Sequence, residues 1–230
     1  MPAETAPSAT AQTTPDDGRQ DGRQRQRPAP TRRSQANRDH LVNAAAALFW
    51  TGGYSATSLA DIARQSGVPL GNVYYYFKTK AAIAEAVGEL LQEQTREALR
   101  TVAVEHDSPP ARLAGLFRLF AAANPARALN GCPIASASRT FAAEAPGAAR
   151  TAGEAFALMR DWITANLVTA GMTEPGARQT AEDWLSRWQG AIALAHAMKD
   201  RALLDRATDR LIGEAKALDA KPDGQDARFD

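Results

Sequence analysis

The chain has 230 residues, 44% of them hydrophobic, with 27 Lys and Arg against 26 Asp and Glu, a single Cys and three His. That length supports a sizeable core in one or two domains, while one cysteine excludes an internal disulfide and fits a reducing cytoplasm. No apolar run approaches the ~18–20 residues of a membrane span, and the N-terminal stretch has no apolar signal core, so a cytoplasmic location away from membranes is expected.

Ala and Arg are abundant, β-branched residues are sparse and no alternating strand pattern persists, which favours an all-α fold. Residues 1–36 are Pro, Thr, Ala, Gln, Gly and Arg with no large apolar residue after Met1, a composition that predicts a disordered arm. Charge is concentrated there: Arg19 to Arg38 holds seven arginines against one acid, Asp21. Such a stretch reads either as a basic arm tracking phosphate or as a solubilising tail. Arg32, Arg33 and Arg38, nearest the folded part, are its candidate DNA contacts.

A first helix is expected over about 37–51, with Leu41, Ala45, Leu48 and Phe49 on one face and Gly52-Gly53 ending it. Ser55, Thr57 and Ser58 follow, at the N-terminus of a second helix where hydroxyls and free N–H groups suit either a phosphate or a helix cap. Ser58 with Asp61 three residues later has capping-box spacing. Leu59, Ile62 and Ala63 share a face, and Gly67 provides the left-handed turn that ends the helix. Pro69 fits the first turn of a third helix, in which Val73 and Phe77 face inward. Leu70, Gly71, Asn72, Tyr74, Tyr75 and Lys78 are left for its other faces. Two short helices joined by a tight Gly turn describe a helix-turn-helix, whose second helix lies in the major groove. In that reading Thr57, Ser58, Tyr75, Lys78 and Lys80 meet phosphate, while Leu70, Gly71, Asn72 and Tyr74 approach base edges.

A long helix from Thr79-Lys80 to about Val104 would span nearly 40 Å and link this head to a second module. Asp107-Ser108-Pro109-Pro110 is the clearest break. Further helices are expected over 111–123, 134–145, 148–170, 174–199 and 200–218. Between them lie turns at Asn124-Pro125 and Asn130-Gly131-Cys132-Pro133, Pro146-Gly147 closes one helix, and 219–230 forms a loose tail. The organisation predicted is an arm (1–36), a helix-turn-helix domain (37–80), a helical domain (81–218) and a tail.

GVPLGNVYYYFKTK resembles the recognition-helix signature of TetR/AcrR-type transcriptional regulators, and FWTGGYSATSLADIA resembles that family's passage between its first two helices. The resemblance runs from about Arg38 to Ala84. It departs at Leu70, where the family often has Lys or Arg, so one expected phosphate or guanine contact is either absent or replaced by an apolar one of the kind that suits a thymine methyl. The Asn-Gly-Cys-Pro-Ile turn and the helix opening at Pro175 resemble regulators of the LmrA/YxaF-like sort. The resemblance implies a ligand-binding and dimerisation domain in the second half, with residues 148–170 and 174–199 pairing with their symmetry mates. Arg178, Ala181, Trp184, Arg187, Ala191 and Ala195 are then interface candidates, the tryptophans being equally at home in the core.

The expected effector is apolar or aromatic, and its candidate pocket residues are Phe117, Phe120, Phe141, Phe156, Met159, Trp162 and Trp188, with plain core packing as the competing reading. Cys132 is read as buried structural thiol or as a sensor, and His196 as a satisfied core or interface side chain. His40, His106 and His196 are far apart, no HExxH, GxSxG, P-loop or GxGxxG pattern occurs, and no metal or cofactor is expected. The sequence therefore predicts no enzyme but a homodimeric repressor of a palindromic double-stranded operator, released by a small molecule. The alternative is a helical interaction protein of the same fold that has lost operator binding.

Overall fold

A computed structural model describes residues 32–220, and ten α-helices run through them: α1 (Arg32–Gly52), α2 (Leu59–Ser66), α3 (Leu70–Tyr76), α4 (Lys80–Glu105), α5 (Pro109–Ala122), α6 (Asn124–Asn130), α7 (Pro133–Thr140), α8 (Pro146–Thr169), α9 (Glu174–Met198) and α10 (Arg201–Ala217). The all-α expectation holds. Most of the predicted arm and tail lies outside the described residues.

The departures from the expected boundaries have two causes. The first helix begins at Arg32, not 37, because Arg, Gln and Ala are good helix formers and Gln35 donates from Nε2 to Asp39 Oδ1 one turn on at 2.8 Å. Arg32 and Arg33 are therefore exposed on a helix and not on a loose arm. The second cause is proline. Pro109, Pro125, Pro133 and Pro146 each sit in a helix's first turn, where the missing N–H costs nothing. The expected turn at Asn124-Pro125 is thus the start of the helix α6, which fills the short segment before the turn at 130–133. Pro146 opens α8 instead of closing its predecessor, and α7 stops at Thr140.

α1, α2 and α3 pack as a head around the first half of α4, with Leu41, Ala45, Ile62, Val73 and Ile83 fully buried. The rest of α4 lies along α8, α5 lies against α10, and α8 and α9 pack side by side. Gly88 brings α4 close to α8: a Cβ on it would come within 2.9 Å of the Ala148 carbonyl oxygen.

The second half is closed by Phe117 and Trp184, rings edge to face at 5.6 Å, above Leu113, Leu116, Ile163 and Leu167. Trp184 donates from Nε1 to Glu214 at 2.9 Å, and Arg187 forks onto the same carboxylate with two bonds of 2.7 Å, fastening α9 to α10. This corrects the interface candidates. Ala181, Trp184, Ala191 and Ala195 are buried within the single chain, because the small-residue face of α9 is the face that α8 and α10 cover. Arg178 and Arg187 stay at the surface, the first ion-paired to Glu182 one turn on and the second held by Glu214.

The head is tied to the second half by more than α4. Phe49, Tyr54 and Phe141 meet edge to face with centroids 5.1, 5.6 and 5.1 Å apart, and all three rings are buried. Beside them Trp50 donates from Nε1 to the Gly131 carbonyl at 3.1 Å. Phe141, expected in a ligand pocket, is instead the second half's contribution to this joint.

Candidate nucleic-acid interface and cavity

The head is built to present α3. Ser58 caps α2 with a complete capping box: its hydroxyl accepts from the Asp61 N–H at 3.1 Å and donates to Asp61 Oδ2 at 2.6 Å, while its own N–H donates to Oδ2 at 3.0 Å. Gly67, at φ 71°, turns the chain left-handed out of α2. Val68, Val73 and Phe77 then anchor the second helix by burial. The opposite surface is unusual in what it exposes: Leu70 at 42%, Tyr74 at 48% and Tyr75 at 65%, beside exposed Gly71, Asn72 and Lys78. Large apolar and aromatic side chains held out on a seven-residue helix make no sense for the monomer's own core.

Two of the expected phosphate contacts are otherwise engaged. Thr57 is buried and its hydroxyl donates to the Gly53 carbonyl at 2.8 Å, locking the turn before α2. Lys80 donates from Nζ to the Tyr54 and Ser55 carbonyls at 3.1 and 3.4 Å, with the ammonium 4.3 Å from the Tyr54 ring centre. It clamps the start of α4 to the α1–α2 turn. Arg38 lies over Phe77 at 5.3 Å, while Ser58 remains exposed.

In the second half a cavity of about 290 Å³ opens between α4, α5, α6, α7, α8 and α9. Leu91, Leu99, Leu116 and Met159 supply apolar wall, and Phe120 stacks on Trp188 at 4.2 Å and 13°. Of the seven expected pocket residues, Phe120, Met159 and Trp188 line it. Phe117 is sealed in the core against Trp184, Phe141 sits in the joint, and half-buried Phe156 and Trp162 on α8 do not reach the lining.

The description "Bacterial regulatory proteins, tetR family" matches residues 41–87, the head and the first third of α4. "Transcriptional regulator LmrA/YxaF-like, C-terminal domain" matches residues 117–210, so both halves point to one family. The chain belongs to the TetR family.

Among curated TetR-type relatives, the HTH-type transcriptional regulator AcrR of Shigella flexneri is 36% identical over 64 residues, 28% of this chain and 30% of that one. The HTH-type transcriptional regulator TtgR of Pseudomonas putida is 32% identical over 77 residues, 34% and 37% of the two chains. The match thus spans about a third of the length of these relatives. The HTH-type transcriptional repressor DhaR of Mycobacterium sp. (strain GP1) aligns further, 29% identical over 74% of this chain and 87% of its own. The TetR fold itself is seen in a regulator from Chloroflexus aurantiacus, TM-score 0.68 at 23% identity over 80% and 96% of the chains. A regulator from Agrobacterium tumefaciens gives 0.68 at 21% over 78% and 97%.

Within this TetR frame, the lining residues that sequence reasoning missed lie on α4 and α6, and also on α5 and α7. Gln94, Thr95 and Ala98 line the cavity from α4, and Arg127 lines it from α6. The α4 set shares the helix with Leu91 and Leu99 at four-residue spacing, which is a findable signal. Arg127 fell in the short segment between two expected turns. Cys132 is buried at the N-terminal end of α7, and His196 is half-buried. No cluster of His, Cys, Asp or Glu that could hold a metal ion occurs among the described residues, and no described helix is long and apolar enough to cross a membrane.

The capping box carries a pH signature. Hydrogen bonds from the Ser58 hydroxyl and N–H, then from Arg64, lower Asp61 to about 2 from an ordinary 3.8. A depressed carboxylate stabilises the folded head in full above the unfolded value and loses that contribution as pH falls from about 3.8 towards 2. The expected result is a ¹³C carboxyl titration in which Asp61 stays ionised to about pH 2 in the native protein and in which Ser58→Ala raises its midpoint. An unchanged midpoint in that variant would show that the box does not set it.

Proposed function

We propose that the protein is a homodimeric transcriptional repressor that holds a palindromic operator through α3 and lets go when a small molecule enters the α4–α9 cavity. The observation that carries the DNA half is the outward presentation of Leu70, Tyr74 and Tyr75 over buried Val73 and Phe77. Leu70, Gly71, Asn72 and Tyr74 face base edges. Ser58, Tyr75 and Lys78, with Arg32, Arg33 and Arg38 on α1, meet the flanking phosphates. Thr57 and Lys80 serve from behind, shaping the turn that presents Ser58.

A single seven-residue helix reads few base pairs, and specific affinity comes from two heads about one DNA turn apart. The outer face of α9, with Gly190, Ala193, Leu194, Ala197 and Met198 exposed, suits a symmetry mate better than its buried face does. Small residues there permit close helix approach, and Leu194 and Met198 are exposed apolar side chains that pairing covers.

Release needs two head positions that the ligand distinguishes. α4 contributes Leu91, Gln94, Thr95, Ala98 and Leu99 to the cavity and is joined to α3 by a link of three residues. Pro133 and Ile134, which line the cavity from α7, lie two and three residues after Gly131, whose carbonyl accepts from Trp50 of the head. A ligand that favours one spacing of these walls therefore biases the head through two routes.

The test is anisotropy binding to about 300 base pairs upstream of the protein's own gene at two salt concentrations, with log affinity falling in log salt as phosphate contacts form. In that assay Tyr74→Ala should cost about 1–3 kcal/mol, roughly tenfold to a hundredfold in Kd, with the dimer and melting curve unchanged. A folded wild-type dimer that fails to bind at low salt would favour the fold-only interaction protein and point to Leu70→Lys as the change that restores contact.

A further inference from the structure

The cavity contains a charge that the protein does not neutralise. Arg127 lies on α6 with its guanidinium 5.4 Å from the Phe120 ring centre and 5.0 Å from that of Trp188, against the stacked pair. Its Nη1 donates to the Phe120 carbonyl at 2.7 Å, and Nε is shut away from solvent with no partner. A guanidinium has five N–H donors and no acceptor, so one neutral carbonyl leaves most of it unanswered. No described carboxylate pairs with it. The contrast with the surface arginines is sharp: Arg100 holds Glu93 and Glu97, Arg187 holds Glu214, and Arg201 holds Asp205.

Burial disfavours the charge and pushes the Arg127 pKa down, yet a guanidinium stays protonated at any physiological pH. The aromatic faces compensate in part. Trp188 adds a second donor to the same wall residues, since its indole N–H is also buried without an acceptor. Among the described residues no carboxylate is paired to either, and only the Cys132 thiol is a titratable neighbour of Arg127. Unused donors on two lining residues in that setting mark a place where the missing group is an acceptor with negative charge.

We propose that the cavity takes a small carboxylic acid, its carboxylate received by Arg127 and its aromatic or alkyl body lying against Leu91, Leu116, Met159 and the Phe120–Trp188 stack. The inference rests on the reading of this cavity as the effector site and sharpens it, from an apolar molecule to an apolar acid. A cavity of about 290 Å³ lies at the small end of ligand pockets, roughly 300–1,000 Å³, so the acid is compact.

The experiment is calorimetric titration of the full-length protein with benzoate, 2-naphthoate and decanoate, each against its own carboxamide, repeated on Arg127→Met and Arg127→Lys. At least one acid is expected to bind about 10- to 100-fold tighter than its amide, the worth of a charged hydrogen bond. Arg127→Met should erase the acid's advantage while leaving amide affinity within a few-fold, and Arg127→Lys should keep part of it. Equal binding of acid and amide to the wild type, or an acid preference that survives in Arg127→Met, overturns the proposal and leaves the cavity as a site for neutral ligands. If neither acids nor amides bind the folded protein, the cavity is not the effector site and the proposal falls with that reading. Should Arg127→Met fail to fold, the wild-type and Arg127→Lys comparisons decide alone.

Discussion

Replacing Phe141 by Ala is expected to lower stability by about 3–5 kcal/mol, the range for removing a buried aromatic ring from a core. Phe141 is fully enclosed, and its ring meets Phe49 and Tyr54 edge to face at 5.6 and 5.1 Å, contacts worth about 0.5–1.5 kcal/mol each beyond the buried area. At about 2–4 °C per kcal/mol for a chain of this size, the melting temperature should fall by about 10 °C. The second consequence is functional. Phe49 and Tyr54 belong to the head and Phe141 to the end of α7, so under the proposed release mechanism the variant weakens the contact, beside Trp50–Gly131, that ties the second half to the head. Below its melting temperature the variant should still bind the operator, but a saturating effector should release it less completely. Calorimetry and operator anisotropy, with and without effector, check both halves. Phe156→Ala, at a half-buried position on α8, is the control and should cost less. A Phe141→Ala loss no larger than that of Phe156→Ala would show that the joint is soft and that α4 alone connects the halves.

The head was almost wholly legible in the sequence, because its signals are local. Ser58 and Asp61 at capping distance, Gly67 for the left-handed turn, and Val73 with Phe77 four residues apart each specify a backbone feature within one turn of themselves. The long α4 was legible for the same reason, being capped by Thr79, whose hydroxyl accepts from the Ala82 N–H. Proline misled where it is ambiguous. The same residue ends one helix and opens the next, and Pro125 and Pro146 did the second.

The cavity was only partly legible, for a physical reason. An aromatic list cannot distinguish a ring that lines a space from one that fills it. Phe117 and Phe120 are three residues apart on one face of α5, yet the first seals against Trp184 and the second stacks on Trp188 at the cavity wall. The decision is made by what α9 brings opposite each ring, which is long-range. Arg127 was hidden twice, by lying in a short segment between two expected turns and by arginine's usual place at the surface. The small residues of α9 likewise suggested an interface, and burial assigned Ala181 and Ala195 to the chain's own core while Gly190 and Ala193 stayed outside.

Gly88 and Gly213 should respond in opposite directions to the same substitution. Both lie inside helices, α4 and α10, where replacing Gly by Ala gains about 0.5–1 kcal/mol of backbone entropy if the methyl finds room. At Gly213 an added Cβ meets nothing within 4 Å, so Gly213→Ala should raise the melting temperature by about 1–4 °C. At Gly88 the Cβ would lie 2.9 Å from the Ala148 carbonyl oxygen and 3.5 Å from both the Ala152 nitrogen and the Thr151 Cβ. Backbone cannot swing aside as a side chain can, so α4 and α8 must separate. Their contact is lined by Ala148 and Ala152, both completely buried, and parting it opens space along the helix that also forms the cavity wall. Overpacking of this kind costs about 1–3 kcal/mol, which exceeds the entropic gain, and the larger Gly88→Val adds further crowding and loses helix propensity. Parallel melts of the three variants are the measurement. A Gly88→Ala protein as stable as Gly213→Ala would mean that α4 and α8 can part at little cost; a clear loss would mean that their close approach at Gly88 is fixed.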